Sequence, residues 1–219
     1  MNASPAQFSP TTLCLVRHGE TVWNAEGRIQ GQHDVPLSDV GRAQAEALAE
    51  ALAGERFDAI YSSDLMRVRQ TAEPVARRLG LTVNLEPGLR ERHYGKFQLI
   101  LYREARERFP EEFAEMTART LDFDFGGTGE SLRIFAERVG ATLKAIVANH
   151  AGGRVLVLTH GGVLDVAHRL IHGSTMDAHR DWELPNAGLN WIEAHPEAWL
   201  VRAWGVTSHL PSVMKTLAD

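Results

Sequence analysis

The chain has 219 residues, 44% hydrophobic and 23% charged, with a formal net charge of -5. That balance suits one globular domain with a sizeable core and excludes a fibrous repeat or a low-complexity chain. The negative charge argues against a general nucleic-acid surface, although a local cluster of arginines can still hold a small anion.

Residues 1–10 read as a disordered N-terminal tail, and 11–219 as a single domain. Met1 to Pro10 lack the basic and apolar regions of a signal peptide, and no stretch is long and apolar enough to span a membrane. The cytoplasm is therefore the expected compartment, with no membrane partner. The one cysteine, Cys14, lies within Leu13-Cys14-Leu15-Val16 and reads as a small buried hydrophobe.

In chain order, Thr12 to Val16 is a short apolar run of the kind buried in parallel sheets, ending at Arg17-His18-Gly19. Leu37-Ser38 opens a helix, with Ser38 a good N-cap and strong helix propensity over Arg42 to Ala53, stopping at Gly54. Phe57 to Tyr61 reads as a strand ending at Ser62-Ser63-Asp64. Leu65 to Leu79 reads as a helix closed by Gly80, with Pro74 predicting a kink or break. Thr82 to Leu85 is a short strand. Residues 96–130 form a less regular, Phe-rich helical insertion. Ser131 to Asn149 is a long helix, capped by Ser131 or Thr128.

Gly152-Gly153 turns into the strand Arg154 to Thr159, followed by His160-Gly161-Gly162 and a helix to about Ile171. Leu189 to Ala194 and Trp199 to Trp204 flank His195-Pro196-Glu197 as a β-hairpin. Strands alternating with helices predict an α/β fold: a three-layer sandwich around a mostly parallel central sheet. Its edge strands leave room for a homodimer.

Three strands end in reactive residues: Arg17-His18-Gly19, Ser62-Ser63-Asp64 and His160-Gly161-Gly162. In parallel strands these ends share one rim, where α/β sheets bind ligands. Arg17, His18, Arg67 and His160 would crowd there, and such a cluster needs an anion. Arg offers bidentate contacts to phosphoryl oxygens, and backbone N–H groups near Gly161 could add to the site. A neutral imidazole can attack phosphorus, and nearby positive charge keeps His18 neutral. A second group must protonate the departing alkoxide; Glu91 is the candidate, with a surface ion pair to Arg90 or Arg92 as its competing role.

The run Leu13 to Thr21 resembles the signature of the histidine phosphatase superfamily, in its phosphoglycerate-mutase-like branch. The resemblance continues through Asn24, Gly27-Arg28-Ile29-Gln30-Gly31, Asp34, Leu37-Ser38 and Gly41. It resumes at Tyr61 to Leu65, Arg67, Gln70-Thr71-Ala72, Leu89-Arg90-Glu91, Gly129 to Leu132 and Val157 to Gly162. It implies that His18 is the phosphoacceptor, that Arg17, Arg67 and His160 bind the phosphoryl group, and that Asn24, Gln30 and Gly31 line the pocket. It also implies Glu91 as proton donor, no metal, no dissociable cofactor, and a small phosphorylated metabolite as substrate.

Two departures qualify this. The family usually has a glycine shortly after the segment matching Gly95-Lys96-Phe97-Gln98, where this chain has Leu99-Ile100; these either narrow the substrate entrance or are a packing variation. The glycolytic mutases carry a lysine where this chain has Tyr102, and an adjacent Arg pair with no counterpart found here. The expectation is therefore hydrolysis, with Phe97, Phe109, Phe113, Phe123 and Phe125 suiting a less acidic, partly apolar substrate. Mutase action and an inactive phosphate-binding protein are the alternatives. His168 and His172 have zinc-compatible spacing but lack a HExxH pattern or nearby cysteine, so packing is the expected role.

Overall fold

The computed structural model describes residues 9–212; most of the expected N-terminal tail lies outside them. A six-stranded sheet runs in the order β3-β2-β4-β1-β5-β6. Its strands are β1 (Thr11–Arg17), β2 (Ala59–Ser62), β3 (Val83–Leu85), β4 (Arg154–Thr159), β5 (Leu189–Ala194) and β6 (Trp199–Val206). β1, β2, β3 and β4 are mutually parallel, while β5 and β6 form the antiparallel hairpin beside β1.

Alternation along β1 builds the layers. Leu13 and Leu15 pack with α6 (Leu132–Asn149) and α7 (Gly161–His172), against Phe135, Val139, Leu143, Val163 and Leu164. Cys14 and Val16 pack on the other face with α2 (Asp39–Ala51) and α3 (Met66–Leu79), against Leu48, Val68, Ala72 and Val75. Cys14 is fully buried, and that burial pushes its thiol pKa up, as befits a core residue.

Most predicted helix ends follow their caps. Ser38 Oγ accepts from Gly41 N–H at 3.0 Å, so α2 starts at Asp39, directly after the expected cap. Ser131, and not Thr128, caps α6, accepting from Ile134 N–H at 3.2 Å. Of the kink or break expected at Pro74, the break is absent: α3 is continuous from Met66 to Leu79. Its apolar face, including Pro74 itself, is buried, and that packing outweighs the lost backbone bond. A short helix α1 (Val22–Glu26), not foreseen, is set by a capping box between Thr21 and Asn24 and ends at Gly27 with φ +66°.

The insertion forms two helices, α4 (Tyr102–Arg108) and α5 (Pro110–Thr117). Its phenylalanines make a separate small core: Phe97 and Phe125 are fully buried, with Phe109, Phe113 and Phe123 packed against them and Ile29.

Candidate active site

Sheet register brings the three reactive strand ends together. Arg17 lies beside Thr159, and Ser62 beside Leu158. His18, Ser63 and His160, one residue further on each strand, therefore meet at one rim. His18 N–H donates to Thr159 O at 2.9 Å, and Asn186 Nδ2 donates to His18 O at 2.8 Å. Gly19 lets the first turn of α2 close on this loop, since a Cβ there would lie 2.5 Å from Gly41 O.

Arg67 organises the site. It sits in the first turn of α3, 1% exposed, and its guanidinium serves four partners. Nε donates to His18 Nε2 at 3.3 Å, Nη1 to His33 O at 2.9 Å, and Nη2 to Gly31 O at 2.7 Å and to His160 Nδ1 at 3.1 Å. Burial lowers its pKa to about 10, so it remains a cation at neutral pH.

A guanidinium only donates, so the contact with His18 Nε2 requires a lone pair on that nitrogen. The proton of the neutral ring is then on Nδ1, 2.7 Å from Gly19 O. Burial, then Arg67 and Arg17, holds the pKa of His18 well below the usual histidine range. The ring is thus a neutral imidazole with Nε2 unprotonated, the form a nucleophile needs.

One cavity is lined by Arg17, His18, Asn24, Gln30, Gly31, Arg67, Glu91 and Gly161, so it collects all the predicted site residues except His160. His160 is fully buried, with Nδ1 on Arg67 and Nε2 2.9 Å from Ser63 Oγ. A Cβ on Gly161 would touch Arg17 Nε at 3.5 Å. The Asn24 amide oxygen accepts from Thr21 N–H and Oγ at 3.1 and 3.0 Å.

The Glu91 carboxylate pairs with neither neighbouring arginine side chain. Arg90 Nε pairs with Asp64 at 2.7 Å, and Arg92 donates to Glu130 O and Phe123 O at 2.8 and 2.9 Å. Instead the Glu91 carboxylate accepts from Gly162 N–H at 3.0 Å and Arg92 N–H at 2.8 Å. The helix N-terminus expected to bind an anion is thus met at Gly162 by the protein's own carboxylate.

The cavity's outer wall corrects a further expectation. None of the five phenylalanines named above lines it. Arg28, Tyr94, Tyr102, Arg119, Asp165 and Arg180 do. Arg119 takes φ +58° and donates to Asp165 Oδ2 and Met176 O, each at 2.6 Å. Asp165 also accepts from Arg169 at 3.0 Å, an i,i+4 pair on α7. Basic groups beyond the phosphoryl end are therefore present, although not as an adjacent pair. The buried Asp165–Arg169 spacing on an otherwise apolar helix face was the sequence signal for this wall.

Leu99 does not line the cavity either. It takes φ +77°, the left-handed conformation suited to glycine, held by Leu99 N–H donating to Ile29 O at 2.9 Å. Ile100 joins the phenylalanine core. His168 stacks on Trp182 at 3.9 Å and lies 4.3 Å from the His172 ring, a packing arrangement. Trp23 stacks on His33 at 5.6 Å and supports the rim.

The family model for the histidine phosphatase superfamily (branch 1) matches residues 13–207. A metal-independent phosphoserine phosphatase of Arabidopsis thaliana is 41% identical over 205 residues, 93% of this chain and 84% of that one. A phosphoglycerate mutase-like protein of the same plant is 39% identical over 201 residues, covering 90% and 86%. The solved structure of Bacillus stearothermophilus YhfR superposes with TM-score 0.85 at 32% identity, covering 91% of this chain and 98% of that one. By the family model, sequence identity and shared fold together, the chain belongs to the histidine phosphatase superfamily, branch 1.

Proposed function

We propose that the protein is a phosphomonoester hydrolase working through a phosphohistidine at His18. The observation that carries this reading is the contact of Arg67 Nε with His18 Nε2 at 3.3 Å, which requires a lone pair on Nε2, in a cavity that Arg17 also lines. Nε2 attacks phosphorus, the bond from phosphorus to the alcohol oxygen breaks, and Glu91 gives that oxygen a proton. Water then attacks the phosphohistidine, returns its proton to Glu91 and releases phosphate. Arg17 and Arg67 neutralise the phosphoryl oxygens throughout, the work a metal performs in other phosphatases.

The outer wall supports a substrate with a second anionic group, such as a phosphorylated hydroxy acid or amino acid. Arg28, Arg119 and Arg180 supply the counter-charge, and Asp165 offers an acceptor for a hydroxyl or ammonium group. Phosphoserine, the substrate class named for the Arabidopsis phosphatase, fits this wall. The same arginines keep phosphoglycerate mutase action as a second reading. The retained set of Arg17, His18, Arg67, Glu91 and His160 speaks against an inactive binding protein.

The test is rapid quench with labelled phosphoserine and 3-phosphoglycerate, scoring free phosphate, 2-phosphoglycerate and protein-bound label. Free phosphate and acid-labile label on His18, both insensitive to EDTA, are expected. Label on Ser62, Ser63 or Cys14, or metal-restored activity after chelation, would overturn the mechanism. Net conversion to 2-phosphoglycerate without phosphate release would establish the mutase.

A further inference from the structure

We infer that Ser63 is a positioning residue that fixes the tautomer of His160 and, through it, the orientation of the Arg67 guanidinium. The geometry begins at Arg67. Its Nη2 lies 3.1 Å from His160 Nδ1 and can only donate, so Nδ1 carries a lone pair. The neutral ring must then carry its proton on Nε2, 2.9 Å from Ser63 Oγ. Ser63 is thus the acceptor for a buried N–H; both residues are fully buried, so water has no access to either.

The opposite tautomer would set Nδ1–H against the Arg67 N–H, two donors face to face. Ser63 thereby selects the ring state that lets Arg67 dock. In this arrangement the fully buried His160 holds Arg67 through Nδ1. Arg67 Nε in turn meets His18 Nε2. The line Ser63, His160, Arg67, His18 joins the ends of three strands and one helix, so one buried hydroxyl sets the alignment of a cation two contacts away.

Loss of the hydroxyl in Ser63→Ala leaves the Nε2–H without an acceptor in a dry site, which favours ring rotation or the wrong tautomer. The inference rests on the hydrolase reading for its kinetic consequence, whereas the tautomer itself does not. Two measurements separate them. Nitrogen-15 NMR of wild-type protein should show His160 protonated at Nε2 and unprotonated at Nδ1; the reverse pattern overturns the inference whatever the kinetics.

In a double-mutant cycle, Ser63→Ala should lower kcat/KM for phosphate esters about 10- to 100-fold, the scale expected when a catalytic group is misplaced. It should also weaken competitive inhibition by inorganic phosphate. In a His160→Ala background Ser63→Ala should add no further loss, and Ser63→Thr should restore part of the rate in the wild-type background. Additive losses in the two single variants, or a wild-type rate in Ser63→Ala, would overturn it. If His18→Ala keeps releasing phosphate, the hydrolase reading fails instead, and the NMR pattern still decides the role of Ser63.

Discussion

Glu91 and Gly162 are fitted to each other: Glu91 Oε2 accepts from Gly162 N–H at 3.0 Å, and a Cβ on Gly162 would lie 2.1 Å from Glu91 Oε1. No side chain larger than hydrogen leaves the carboxylate in place. Glu91→Gln keeps the size but removes the exchangeable carboxyl proton. It should slow alkyl phosphate hydrolysis by about 100- to 10,000-fold and nitrophenyl phosphate hydrolysis far less, because nitrophenolate departs unaided. Gly162→Ala should show the same leaving-group pattern by displacing Glu91. Single-turnover rates of His18 phosphorylation are the measurement; equal losses on the two ester types would remove Glu91 from the acid role.

Arg119 offers a separate test of the outer wall. Its guanidinium is held by Asp165, which keeps Arg169 as partner when Arg119 is removed. Arg119→Ala should therefore leave the fold intact and lower kcat/KM for phosphoserine or phosphoglycerate by roughly 10- to 100-fold, the loss expected for one charge-assisted hydrogen bond. Nitrophenyl phosphate, with no second anion, should be hydrolysed at nearly the wild-type rate. A uniform loss on all substrates would mean that Arg119 serves the fold.

Leu99 bears on stability and not on the entrance. A left-handed non-glycine residue costs about 1–2 kcal/mol, and glycine gives back about 0.5–1 kcal/mol in unfolded-chain entropy. Leu99→Gly should raise stability by up to about 1 kcal/mol, measured by urea unfolding, with an unchanged ranking of bulky and small esters. A drop in stability would show that the exposed side chain makes a compensating contact.

Acid should weaken the fold through the buried His18 and His160 and the half-buried His168. Burial, then neighbouring cations, lowers the pKa of His18 and His160 well below the usual range. Burial, then His172, lowers that of His168 to about 4. In the unfolded chain each would protonate near its ordinary value of about 6.5. Below that pH the unfolded state binds more protons, so the contribution is full above about pH 6.5 and falls as pH drops, reaching its floor for His168 near 4. Thermal unfolding from neutral to acid pH should show this fall, and His168→Gln should flatten part of it. An identical slope in the variant would remove His168 from the account.

The reactive rim was legible in the sequence because its elements are local. An apolar run ending in Arg17-His18-Gly19 marks a buried strand and what stands at its end, and three such runs with intervening helices leave parallel pairing as the natural arrangement. Caps such as Ser38 and Ser131 mark helix starts for the same reason: donor and acceptor lie three residues apart. Only the tertiary structure decided the rest. Glu91 finds its partner at Gly162, Arg119 finds Asp165, and Arg67 spans His18, Gly31, His33 and His160. Those contacts join residues 34 to 93 positions apart, which no periodicity encodes. The tautomers of His18 and His160 follow from which of their nitrogens faces a guanidinium, and that is settled when the strand ends and α3 pack together.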